Sequence, residues 1–221
     1  MERVQQETGS VWKSTDDIRN VNLEAVILGI KKYVNHFQPG EQGYEYTGNW
    51  YRLSMKKEEI KRQSFYFAAE LAVVSLLFFL GLTGNNAGGY IFWILIPYMC
   101  QFLPLAYGWM GIYALLRAER NREFPHGVKK QQKSYGDEIF LRQMDHDRGI
   151  RRPWRCGLGL TVLSGAVLAA DILLVLPRIG ELEKSDEWFF LTVCGGIFAV
   201  SLVFALQSRR MLRKTALYGI K

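Results

Sequence analysis

Histidine and cysteine are scarce, with three of each in 221 residues. His36, His126 and His146 are scattered along the chain. Asp145-His146-Asp147 is the nearest thing to a ligand cluster. Three adjacent residues do not easily turn toward one ion, and no second cluster completes a shell, so no metal site is expected. Cys100, Cys156 and Cys194 are an odd number of thiols without a spacing motif, which excludes a disulfide framework. They read as small apolar fillers. The sequence also lacks a G-x-S-x-G elbow, an H-E-x-x-H helix, a phosphate-binding loop and a dinucleotide fingerprint. Gly88-Gly89 and Gly195-Gly196 have none of the flanking residues of a phosphate cradle. No catalytic residue, no cofactor and no enzymatic activity is expected.

Charge is missing from four long stretches. Phe65–Leu82 contains Glu70 and Tyr66 as its sole ionisable side chains, and Tyr90–Leu116 has no formal charge. Cys156–Pro177 holds a single acid, Asp171, and Trp188–Leu206 has none. About 20 apolar residues in a helix cross a hydrocarbon core about 30 Å thick. A soluble domain has shorter core helices with a polar face, so four such blocks predict four transmembrane helices. The spans are expected at about 64–82, 90–116, 156–177 and 188–207. They contain no histidine and one aspartate, which excludes the serine–histidine, paired-aspartate and metal sets of intramembrane proteases.

What is abundant is positive charge, and its position matters. The net charge is +7, and 26 of the 28 Lys and Arg residues lie in 1–64, 117–155 and 207–221. The other two, Arg178 and Lys184, share a short loop with Glu181, Glu183, Asp186 and Glu187. Basic residues beside a spanning helix stay cytoplasmic. That rule places both termini and the 117–155 connection inside, and the two short loops outside. The expected fold is an all-α membrane protein of two outward-pointing hairpins, N-in and C-in, multi-pass in the cell membrane. Its basic segments face lipid headgroups and set orientation; no nucleic-acid partner is expected. The first 20 residues hold no apolar run, so the first span is expected to act as an uncleaved targeting signal.

Residues 1–54 form an expected cytoplasmic segment, and 55–221 the membrane domain. Within 16–37, Ile18, Val21, Leu23, Val26, Ile27, Ile30, Val34 and Phe37 make an apolar stripe at helical spacing. This amphipathic helix ends at Pro39-Gly40. Residues 43–53 place aromatics on both sides of Thr47-Gly48-Asn49, which predicts a β-hairpin across that turn. Ser54 is the expected N-cap of a helix running to Leu82, with Glu58 and Glu59 in its opening turns. Asp137–His146 reads as a short helix, and residues 208–221 as a basic tail.

Three polar residues inside the blocks are candidate sites: Glu70, Gln101 and Asp171. Intramembrane acids face the bundle interior and mark pathways or partners. Glu70 lies about two turns from the inner boundary and Asp171 about two turns from the outer one, at 1.5 Å per residue. They therefore do not form one site. Gln101 or Tyr107 is an expected contact for Glu70, and Tyr90 or Arg178 for Asp171. Pro97 and Pro104 lie seven apart on one face of the second span and are candidate hinge positions. Gly165 with Ala169, Ala166 with Ala170, and Gly195 with Ala199 allow close approach of the third and fourth helices. About 100 cytoplasmic residues and few intramembrane polar groups favour an accessory or scaffolding component that binds a protein partner. The alternative is a small transporter or channel, a homo-oligomer using the intramembrane carboxylates. In both readings the lipid bilayer is the surrounding partner.

Overall fold

The structure is a computed structural model that describes residues 36–40, 43–84, 91–120, 139–175, 177 and 187–218. The chain order begins with three strands: β1 (Phe37–Gly40), β2 (Gly43–Tyr46) and β3 (Trp50–Leu53). Helices α1 (Lys57–Gly81), α2 (Phe92–Cys100) and α3 (Phe102–Arg120) follow. Next come β4 (Ile139–Arg142), a single turn α4 (Gln143–His146), and a wider π-helical turn at Asp147–Arg151. The chain closes with α5 (Arg152–Leu174), α6 (Glu187–Arg213) and β5 (Thr215–Tyr218). The helix expected over 16–37 lies outside the described residues up to Asn35; Phe37 itself opens β1.

Four helical stretches are long and apolar enough to cross a membrane: Glu58–Gly81, Phe92–Ala118, Gln143–Leu174 and Glu187–Arg213. The longest are about 40 Å or more at 1.5 Å per residue. Their interior is a single cluster that includes Phe67, Leu71, Ile94, Leu160, Val167, Ile197 and Phe204. Their outer faces are equally apolar. Phe65, Trp93, Leu103, Tyr113 and Leu173 are each about 70% exposed. Helices that are hydrophobic all round match a lipid solvent. Pro97 lies within α2 without ending it. The interruption falls at Gln101, between α2 and α3. Pro104 then sits in the first turn of α3, where a missing N–H breaks no helical bond.

The fold is mostly helical rather than all-α, because a small sheet closes one end of the bundle. β3 is its centre, paired antiparallel with β4 on one side and β5 on the other. Trp50 stands opposite both Arg142 and Tyr218, and Leu53 opposite both Ile139 and Thr215. Alternation does the rest. Leu53, Ile139 and Leu141 join the helical core, while Trp50, Phe140 and Tyr218 meet on the far face with Tyr46. The expected hairpin across 47–49 does not form. Its two halves find other partners: β2 pairs with β1, with Phe37 opposite Tyr46, and β3 pairs with distant segments. Four-residue strands carry too little local pattern to announce such pairings. Two further expectations change for the same reason. The stretch 139–142 is strand rather than helix, and the basic tail after Ser208 continues α6 and then supplies β5. Ser54 does not cap α1. Its N–H donates to the Lys214 carbonyl at 3.1 Å, and Lys56 takes the cap position without a side-chain bond.

The closest helix pair is α5 with α6, as expected, but through a different seam. Gly157, Ser164 and Asp171 are buried on α5 at intervals of seven. Glu187, Cys194, Ser201 and Ser208 are buried on α6 at the same interval. A seven-residue repeat keeps one face of each helix against the other along a gently supercoiled contact. Gly157 is required there: an added Cβ would lie 2.8 Å from Ala205 Cα. Of the residues proposed from spacing, Gly165 lies at the contact, where an added Cβ would meet Phe198 of α6 at 3.2 Å, and Ala170 packs against the core, but their pair mates do not. Ala166, Ala169 and Ala199 are exposed, and Gly195 has open space where a Cβ would go. Four-residue spacing marks two sides of a helix equally well, and neighbouring helices chose the other.

Candidate functional site

Polar side chains inside the bundle gather into two carboxyl centres at opposite ends. Glu70 occupies the half nearer the sheet. Gln63 and Glu70, seven apart on α1, present one face, and Gln207 of α6 reaches between them. Gln207 Nε2 donates to Glu70 Oε1 at 2.7 Å, and Gln63 Nε2 donates to Gln207 Oε1 at 2.8 Å. This relay of two amides and one acid accounts for one carboxyl oxygen. The other, Oε2, is buried without a protein partner. The partner expected for Glu70 was Gln101 or Tyr107; it is Gln207.

Asp171 lies at the opposite end and is fully buried. Its neighbour is Glu187, the first residue of α6, which is 1% exposed. The Glu187 carboxyl is within electrostatic reach of Asp171, both of whose carboxyl oxygens are buried without a partner in hydrogen-bonding geometry. Cys194, two turns along α6, lies within electrostatic reach of both acids. Tyr98 of α2 adjoins Cys194 and donates its hydroxyl to the Phe78 carbonyl at 2.6 Å. Tyr90 and Arg178, the expected partners of Asp171, lie outside the described residues.

Gln101 stands between the two centres. It is 1% exposed at the α2–α3 interruption, and neither end of its amide has a partner. Ser201 Oγ and Ser208 Oγ are buried and unpartnered too. Ser164, by contrast, turns its hydroxyl back to the Leu160 carbonyl at 2.6 Å. The thiol of Cys156 donates to the Pro104 carbonyl at 2.6 Å, which ties α5 to the first turn of α3. Thus the structure does not bring Glu70, Gln101 and Asp171 into one cluster. It strings them along one interior.

The sheet end holds a second polar assembly. The His146 ring stacks on Tyr51, 4.0 Å between centroids and 5° from parallel. Its Nε2 lies 3.2 Å from Thr215 Oγ1, and its Nδ1 lies 3.6 Å from Asp147 Oδ1. Arg151 completes the group, 3.0 Å from the same Asp147 oxygen. One histidine thereby joins three separate segments of chain. On the other sheet face the Arg142 guanidinium lies over the Tyr46 ring, 5.4 Å from its centroid. Burial pushes the Tyr46 phenol above its usual range. Burial lowers the Arg142 guanidinium, opposed by the charge of Asp145 and by Tyr46. Among the described residues no group of three or more His, Cys, Asp or Glu side chains could hold a metal ion.

Compared with protein-family models, curated proteins and solved structures, the chain matches none. The site must therefore be read from its own geometry. Four of its members, Glu187, Gln207, Ser201 and Cys194, were not singled out from sequence. A signal for three was present: 187, 194 and 201 are seven apart, in step with 157, 164 and 171 on the preceding helix. Gln207 carries no such signal, because its role depends on which face of α6 meets α1.

Proposed function

We propose that this chain is a multi-pass protein of the cell membrane, with both ends cytoplasmic, that acts without catalysis as a scaffold for a protein partner. The observation that carries the reading is the three-stranded sheet. It draws one strand from before α1, one from before α5 and one from after α6. These are the segments richest in Lys and Arg, so the positive-inside rule puts the whole sheet in the cytoplasm. Packing of Leu53, Ile139 and Leu141 onto the bundle makes it a rigid platform rather than three loose tails. β5 is an edge strand, and Leu217 on it is 61% exposed. An edge strand with an exposed apolar side chain is suited to strand addition by another chain.

The test is site-specific photo-crosslinking from Leu217 in intact cells. A discrete adduct with a second polypeptide is expected from Leu217, but not from the lipid-facing Leu173. Leu217→Asp should abolish that adduct while the protein still inserts. Adducts with lipid alone, or identical adducts from both positions, would sink the scaffold reading. Tags at the two ends, probed in sealed cells, should both be shielded from outside. Labelling of one end alone would overturn the orientation.

A further inference from the structure

At the sheet end, α5 enters the bundle through Arg152 and Arg155. α3 lies antiparallel beside it. Gly111 faces Pro153 and the Arg152 Cβ, Gly108 faces Cys156, and Pro104 faces Gly159. Arginines at a membrane boundary ordinarily extend outward, toward water. Arg152 turns the other way. Its guanidinium lies over the Tyr107 ring, 4.7 Å from the centroid. Tyr107 is one turn of α3 further into the bundle than Gly111, about 6 Å along the axis. The guanidinium is thereby brought level with Cys156, the first residue of the apolar block.

A cation stacked on a ring has one face covered and its N–H edge free. Among the described residues Arg152 makes no hydrogen bond and no ion pair. The same holds for Arg155, which is exposed and three residues on along the same helix surface. The nearby acids are engaged elsewhere. Asp147 lies 3.0 Å from Arg151, and Asp145 sits in the field of Arg142, Arg148 and Arg117. Two positive charges thus stand at the edge of the apolar block without a counter-charge. A planar guanidinium fork matches a phosphate. Deeper along the same two helices the surface is apolar, with Leu103, Leu158 and Val162 all exposed. A free phosphate gains nothing from that surface. A molecule with an anionic head and hydrocarbon tails fits both parts.

We propose that Arg152 and Arg155, with Tyr107 as platform, bind the headgroup of an anionic phospholipid in the leaflet at the sheet end. The lipid phosphate accepts from the edge N–H groups of Arg152 and from Arg155, while the ring holds Arg152 from behind. The acyl chains run past Leu103 and Val162. This is a site on one helix pair, beyond the general attraction of basic segments for headgroups, and it needs no protein partner. The molecule supplies its own comparison. Arg209 and Arg210 of α6 are exposed at the same end, since Gly157 lies against Ala205. Among the described residues no ring lies under either of them.

Native mass spectrometry of the full-length chain in mild detergent tests this, with dioleoyl phosphatidylglycerol and dioleoyl phosphatidylcholine as probes. At equal concentration, phosphatidylglycerol adducts should outnumber phosphatidylcholine adducts by about tenfold or more. Arg152→Gln with Arg155→Gln should cut phosphatidylglycerol binding by about tenfold or more. Arg209→Gln with Arg210→Gln removes the same charge at the same end and should change binding less than about twofold. Tyr107→Leu should weaken it by about threefold with every charge in place, and Tyr107→Phe should retain it. Circular dichroism checks that each variant keeps its helices. Where the first double variant does not fold, Arg152→Lys takes its place; it keeps the charge, loses the fork and should weaken binding by about threefold. Excess inorganic phosphate should leave the lipid bound. Equal losses in the two double variants would overturn the site in favour of diffuse surface charge. So would a wild type that shows no preference between the lipids, or displacement of the lipid by inorganic phosphate. None of these results bears on the crosslink at Leu217, so the two readings fail independently.

Discussion

The bundle contains the same awkward group twice and accommodates it in two ways. At the sheet end, Glu70 receives a neutral amide donor from Gln207, which is itself held by Gln63. At the other end, Asp171 has a second acid, Glu187, within electrostatic reach, and neither of its carboxyl oxygens has a hydrogen-bond partner. An amide relay works whether or not anything titrates. Two carboxyls at close range disfavour each other's ionisation. The contrast teaches that an acid in an apolar interior is a statement about its neighbour. Glu70 has a hydrogen-bonded amide partner, whereas Asp171 has an acidic neighbour.

The sharpest way to break this comparison is to remove one member of the acid pair. Asp171→Leu replaces a buried acid that has no hydrogen-bond partner with an apolar chain and should raise stability by about 2 kcal/mol. Unfolding in mixed micelles, followed by circular dichroism, measures it. Asp171→Leu combined with Glu187→Leu should depart from the sum of the two single changes, because each acid disfavours the other's charge. Strict additivity would show that the two acids are not a unit. At the other centre, Glu70→Leu strips the acceptor from Gln207 but leaves Gln63 in place. The expected cost is about 1 kcal/mol. A gain from Glu70→Leu as large as that from Asp171→Leu would erase the distinction drawn here. The smallest effect is predicted for Glu187→Gln. It converts the acid pair into an amide–carboxylate pair of the Glu70 type, so stability should move by less than about 1 kcal/mol, checked in the same micelles. A large destabilisation would mean that the Glu187 carboxyl makes a contact that the amide cannot replace.

A wider contrast separates the bundle from its cap. Long apolar runs made the four helices visible, since Phe65–Leu82 or Trp188–Leu206 has one stable conformation in a medium without water. The cap was hidden. WYRL, IFLR and TALY are too short to announce strands, and each needs a partner at least 80 residues away in sequence. Pairing within 43–53 was the local solution, and the fold took non-local ones. The seam between α5 and α6 lies between these cases. Its seven-residue rhythm can be read in the sequence once one knows which face is inward. Gly165 with Ala169 is as plausible a contact on spacing alone, yet Gly165 meets Phe198 of α6 while Ala169 is exposed.

What the sequence determined by itself is the number of long apolar helices, the gathering of basic residues into the segments that join them, and the rarity of acids inside. Those follow from composition over windows of about 20 residues, where burial cost and helix length act locally. Tertiary structure alone decided that Glu70 meets Gln207, that Asp171 meets Glu187, and that three distant tetrapeptides make one sheet. A hydrogen bond acts over about 3 Å, and no spacing along one chain segment fixes which face of another segment comes that near.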